Sequence, residues 1–116
     1  MIVSREDGVQ LLKKWLDDDI PISLRILAPG FSASLAGFVS KIDNVSFIVT
    51  HLTDGGEMTG QVTVKLSDVT NWNYRDVREA SDAAKEFLAG RVAGALQFDL
   101  EGGIGFCLYE LVELTQ

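Results

Sequence analysis

Across residues 22–74 the chain repeats one pattern five times: a short run of alternating apolar and polar residues, closed by a turn signal. A period of two puts every second side chain on one face of an extended strand, so each run reads as a strand with one buried face. Ile22, Leu24 and Ile26 alternate with Ser23, Arg25 and Leu27 in the first. Ala28-Pro29-Gly30 then turns the chain, with proline pre-set for an early turn position and glycine free to take positive φ. Residues 31–42 make a longer second strand, with Leu35, Gly37 and Val39 on one face and Phe38 on the other. A glycine inside a strand marks a bend or a close backbone approach, as at a barrel corner. After Asp43-Asn44, a tight-turn pair, Val45, Phe47 and Val49 alternate through a third strand. Val62, Val64 and Leu66 make a fourth beyond the polar loop 53–57, and Ser67-Asp68 turns into a short fifth strand over 69–74. Connections this short leave no room for helices between strands, which favours a small antiparallel barrel or sandwich over an α/β fold.

The flanks follow other periods. Ser4 with Asp7 three residues on reads as a helix N-cap, and Val9, Leu12, Trp15 and Leu16 then recur at helical spacing with Leu11 alongside. Asp17-Asp18-Asp19 before Pro21 end the helix, and because acids there oppose the macrodipole, tertiary packing has to hold that end. Residues 81–88 suggest a short helix capped by Ser81, with Gly90 near its end. Leu96, Phe98 and Leu100, then Ile104, Phe106 and Leu108, alternate on either side of Glu101-Gly102-Gly103, a C-terminal hairpin. The expected fold is therefore α+β: an N-terminal helix, a five-stranded antiparallel small barrel, a short helix and a C-terminal β-hairpin. A single domain over 1–116 is expected, with helix and barrel in 6–74 and the extension in 75–116.

A hydrophobic fraction of 47% is too high for disorder, and 116 residues can bury about two thirds of their unfolded surface in one core. The single cysteine, Cys107, excludes an intramolecular disulfide and a cysteine-rich metal site, which fits a reducing compartment. The first residues carry acids where a signal peptide would carry its apolar stretch, and no apolar run is long enough to span a bilayer. A cytoplasmic location without membrane contact is the expectation. Ten Lys and Arg against seventeen Asp and Glu give a net charge of −7, which repels polyanions and argues against a nucleic-acid partner.

Gly37-Phe38-Val39-Ser40-Lys41-Ile42-Asp43 fits the pattern Gly-x-hydrophobic-x-x-hydrophobic-Asp across the second strand and its turn, and Leu66-Ser67-Asp68-Val69 falls where a second motif is due. With the N-terminal helix in front, residues 6–74 resemble the Sm-like proteins, a branch of the SH3-like small barrels. The resemblance implies the barrel and a ring-forming habit of the outer strands. It does not carry over the family's RNA-base pocket, because Phe47 stands where that family has Asn and Ser67-Asp68 where it has Arg-Gly.

Catalytic chemistry has little to work with. His51 and Cys107 are the only histidine and thiol; the first ends a strand beside a polar loop and the second sits among Phe106 and Leu108 as a small hydrophobe. Asp17-Asp18-Asp19 do not converge on one ion, Asp54-Gly55-Gly56-Glu57 lacks the donors of a calcium loop, and neither glycine pair continues into a phosphate-binding fingerprint. Asp99 and Glu101 flank a solvated turn, where a general acid's pKa would not be raised. No enzyme, metal or cofactor is therefore expected. The candidate binding residues are Trp72, Tyr74, Arg75 and Arg78, two same-face aromatics beside two arginines, a composition found at binding hot spots. The expected function is a protein–protein interaction or self-association module forming a homo-oligomer. A divergent RNA-binding Sm-like protein and a small-ligand-binding protein are the alternatives.

Overall fold

Ser4 opens the helix as read: its hydroxyl accepts from the Asp7 backbone N–H at 3.1 Å, and α1 runs over Arg5–Asp17. The far end is a Schellman turn built on an acid. Asp19 takes the left-handed conformation, φ 51°, while its N–H donates to the Leu16 carbonyl and the Ile20 N–H to the Trp15 carbonyl. Half-buried Ile20 packs against the core at this turn, the tertiary hold that the unfavourable charges require.

The computed structural model describes residues 2–52, 55, 57–76 and 92–111. The strands are β1 Ile22–Ala28, β2 Phe31–Ile42, β3 Ser46–Leu52, β4 Met58–Lys65, β5 Thr70–Asp76, β6 Val92–Leu100 and β7 Ile104–Leu111. All pair antiparallel in one seven-stranded sheet of order β4-β3-β2-β1-β7-β6-β5. The expected short helix at 81–88 lies outside the described residues.

The expected five-stranded barrel is not what forms; the sheet has seven strands and is open. The reason is that a strand has only two edges. Closing a small barrel needs β1 beside β5, but β1 is bonded to β2 on one side and β7 on the other, and β5 lies against β6. The C-terminal hairpin has entered the middle of the sheet because Leu96, Phe98, Phe106 and Leu108 give it a fully apolar inner face. The α+β class stands.

The open sheet is nevertheless rolled. β4 and β5, its two edges, are joined by one 3-10 turn, Leu66–Asp68, and Val69. A flat sheet would set those strands about 29 Å apart, six spacings of about 4.8 Å, whereas five residue steps span at most about 18 Å. Phe47 of β3 and Phe98 of β6 lie four spacings apart in the sheet order, yet their rings meet edge to face with centroids 5.9 Å apart. Phe98 also stacks on Phe106 and tilts against Trp72, both with centroids at 5.2 Å.

α1 lies across the concave side, packed on β2 and β5, and sinks Leu12 and Trp15 into the core; Trp15 Nε1 has no hydrogen-bond partner there among the described residues. Each fully buried side chain of this size contributes about 2 kcal/mol. Gly8 gives the helix its close approach, since a Cβ there would overlap the six-membered ring of Trp72. At Gly37 a Cβ would overlap the Thr50 carbonyl, so the glycine read as a bend is the point where β3 closes on β2. Asp43 caps the following turn by accepting from Ser46 N–H at 2.9 Å and Val45 N–H at 2.7 Å. Those two N–H groups, Ser46 first, hold its carboxyl below the ordinary 3.8. No described helix is long and apolar enough to cross a membrane.

Candidate functional site

Of the four residues expected to form a binding patch, the three described ones, Trp72, Tyr74 and Arg75, do not share a surface. Asn71 adopts φ 55° and the β5–β6 register slips between Thr70 and Asn73, a bulge that turns Trp72 inward onto Phe98 with 6% of its surface exposed. Tyr74, opposite Leu96, faces the same interior and is half-buried. Arg75 lies opposite Ala95 on the convex face, exposed, with β5 itself between it and the two aromatics. Arg78 lies outside the described residues. His51 and Cys107 are also separated: β2 and β1 lie between their strands, and the register puts His51 on the concave side and Cys107 on the convex side. Among the described residues no three His, Cys, Asp or Glu side chains converge as metal ligands.

Three features stand out instead. Cys107 is the middle of a convex-face row, with Arg25 opposite it on β1 and Gln97 on β6, and it accepts from Gln97 Nε2 at 3.7 Å. Hydrogen bonding to this thiol, followed by burial, pushes the Tyr109 phenol up. The thiol is buried in polar company, not among the apolar neighbours expected from its strand.

The second feature is a pocket of about 280 Å³ at the β5 bulge. Asn71, Asn73, Gln97 and Asp99 supply its polar wall, Ile2 and Trp72 the apolar one, and Asn71 Nδ2 donates to Asp99 Oδ2 at 3.1 Å.

The third is the arm made by β1, β2 and the Pro29-Gly30 turn. β2 pairs with β1 from Phe31 to Gly37, but with β3 only from Phe38 onward. The first half of β2 thus extends past β3 with residues 31–34 exposed, including Phe31 at 57%, while Leu27 across the hairpin is 49% exposed. No charged residue occurs between Arg25 and Lys41, the longest such interval in the chain. Sequence reasoning passed over the arm because it scored alternation alone; the missing charges were the available signal.

Comparison with protein-family models, with curated protein sequences and with solved structures finds no match to this chain. The functional reading therefore rests on the geometry above.

Proposed function

We propose that this chain is a non-catalytic interaction domain whose working contact is with another copy of itself. The observation that supports it is the arm, which holds two large apolar side chains in water beyond the core. Exposed apolar surface of this kind, grouped on one projecting element, marks contact sites in soluble proteins. Covering half of Phe31 returns about 1 kcal/mol, so a symmetric pair gains about 2 kcal/mol. That falls below the roughly 4–15 kcal/mol that association costs. Backbone pairing has to add to it.

Light scattering coupled to gel filtration tests the reading. The expected result is a mass that rises from monomer toward dimer between low and high micromolar loading. A strict monomer at high micromolar concentration refutes self-association.

A second reading has its own observation, the amide-lined pocket at the β5 bulge. Three amides and one carboxylate around an aromatic edge suit a small neutral ligand rich in hydroxyl or amide groups. Titration of a panel of sugars and polyols, followed by the Trp72 emission, tests it. A response abolished by Asn71→Ala supports the pocket, and no response to any member removes it.

A further inference from the structure

We infer that the free edge of β2 over residues 31–35 pairs antiparallel with the same edge of a second copy, on a two-fold axis through Ala33. The inference rests on the self-association reading and says where and how the copies meet.

The edge is available and its polar groups are aimed outward. Beyond Phe38 toward the turn, β2 has β1 on one side and no described strand on the other. His51 Nδ1–H on β3 donates to the Ala36 carbonyl, so that carbonyl points away from β1. In an antiparallel strand the edge toward which N–H and C=O point alternates by residue, so Ser34 and Ser32 present theirs in the same direction. These are backbone donors and acceptors on an exposed strand, which is a template for another strand.

The sheet's other edges are treated differently. On β5, Ile2 forms a bridge to Asn73, the Val3 N–H donates to the Trp72 carbonyl at 3.1 Å, and α1 packs alongside. β4 begins beside Glu57 and ends in Lys65, charges that discourage a further strand from adding. Among the described residues, the β2 edge has neither a cover nor a charge. Its neutrality also suits a second copy: two chains of net charge −7 repel least where neither presents a charge, and this is the longest charge-free interval in the sequence.

The register follows from two requirements. Opposite residues in an antiparallel pair share a face, so a continuous two-fold pairing joins residues of like parity, and the exchanging residues must be the outward-pointing Ser32 and Ser34. Placing Ser32 opposite the second copy's Ser34, in both directions, forms four N–H···O bonds and leaves the Ala36 carbonyl with His51. Phe31 then lies opposite Leu35 twice, at the closely spaced positions where aromatic and aliphatic side chains stabilise a pair. Ala33 lies opposite itself, small enough to let the backbones meet. The strands β5, β6, β7, β1 and β2 of each copy become one continuous ten-stranded run.

Four chains decide it: the wild type, Ala33→Lys, and Ala33→Cys and Ser67→Cys, each in a Cys107→Ala background. Sedimentation equilibrium of the wild type is expected to show a dimer. Ala33→Lys sets two like charges face to face and is expected to weaken the dimer about tenfold or more while melting as the wild type does. Ala33→Cys is expected to cross-link to a dimer under mild oxidation faster than Ser67→Cys on the exposed 3-10 turn, because Cα atoms of a directly opposed pair stand within disulfide reach. A wild type that dimerises while Ala33→Lys dimerises equally, or a cysteine at position 33 that cross-links no faster than the one at 67, overturns the edge and leaves self-association standing. If Ala33→Lys fails to fold, the cysteine comparison alone decides. A wild type that is monomeric throughout overturns both.

Discussion

Replacing Phe47 and Phe98 by leucine, singly and together, measures how tightly the sheet is rolled. The two rings belong to strands four spacings apart in the sheet order but meet edge to face with centroids 5.9 Å apart. Each single change removes part of a fully buried ring and leaves a small void, a loss of about 1–2 kcal/mol, within what a domain of 5–15 kcal/mol tolerates. An edge-to-face pair contributes about 0.5–1.5 kcal/mol beyond its buried area, and the double variant should therefore be less destabilised than the sum by about that amount. In a flat sheet the same side chains would stand about 19 Å apart, past the distance at which substitutions interact, and the effects would add. Urea unfolding followed by the emission of buried Trp15 and Trp72 gives the four free energies. Additivity within about 0.3 kcal/mol would refute the rolled sheet, and with it the claim that one core spans β3 and β6.

Asp19→Gly should stabilise the protein by about 1 kcal/mol, seen as a higher melting temperature, because it relieves a left-handed aspartate and removes an acid from the helix C-terminus. Gly8→Ala should do the opposite of what it does on an exposed helix: the roughly 1 kcal/mol propensity gain is outweighed by overlap with Trp72, for a net loss of about 1 kcal/mol in urea, and Trp72→Phe should shrink that loss. Asp43→Asn should be less stable than the wild type at neutral pH. The folded pKa lies below the ordinary 3.8, so the carboxylate's contribution is complete above 3.8 and is lost as pH falls through the lower folded value; urea midpoints of the two proteins should converge in acid. Self-association should strengthen with salt: charges of −7 at a separation near 31 Å, the shortest dimension, repel by about 7 kcal/mol in salt-free water and by little at about 0.15 M. Weakening with salt, read by sedimentation, would point to a charged interface elsewhere.

The elements were readable because each follows from a local period. The bounds of β2, the cap at Ser4 and the glycine turn after Leu100 come from side chains within a few residues of one another. The neighbour of β1 is a different kind of fact. Residues 22–28 carry the same alternation whether β5 or β7 lies beside them, and the choice is made by Phe98 and Phe106, more than seventy positions away, filling the concave face. Trp72 was misplaced for a related reason: its direction is set by a bulge at Asn71, and a one-residue slip reverses the face of everything beyond it. Composition marked Trp72 and Arg75 as companions; the slip and the pleat put them on opposite sides.

The same separation of local from distant causes explains why the arm matters. A charge-free strand is ordinary in a core, where both edges are bonded, and residues 31–35 would be unremarkable if β3 ran their full length. The β2–β3 ladder instead begins at Phe38 opposite Thr50, next to the close approach at Gly37, and leaves the earlier part of β2 paired with β1 alone among the described strands. Among the described residues, β5 is covered by the N-terminal segment, β4 is flanked by Glu57 and Lys65, and β2 alone combines an open edge with no charge. Aggregation would threaten a chain that left such an edge open without a use for it. A symmetric pairing that consumes the edge and ends at two turns removes the hazard while making the contact, because a two-fold partner uses the same edge and leaves none to continue a fibre.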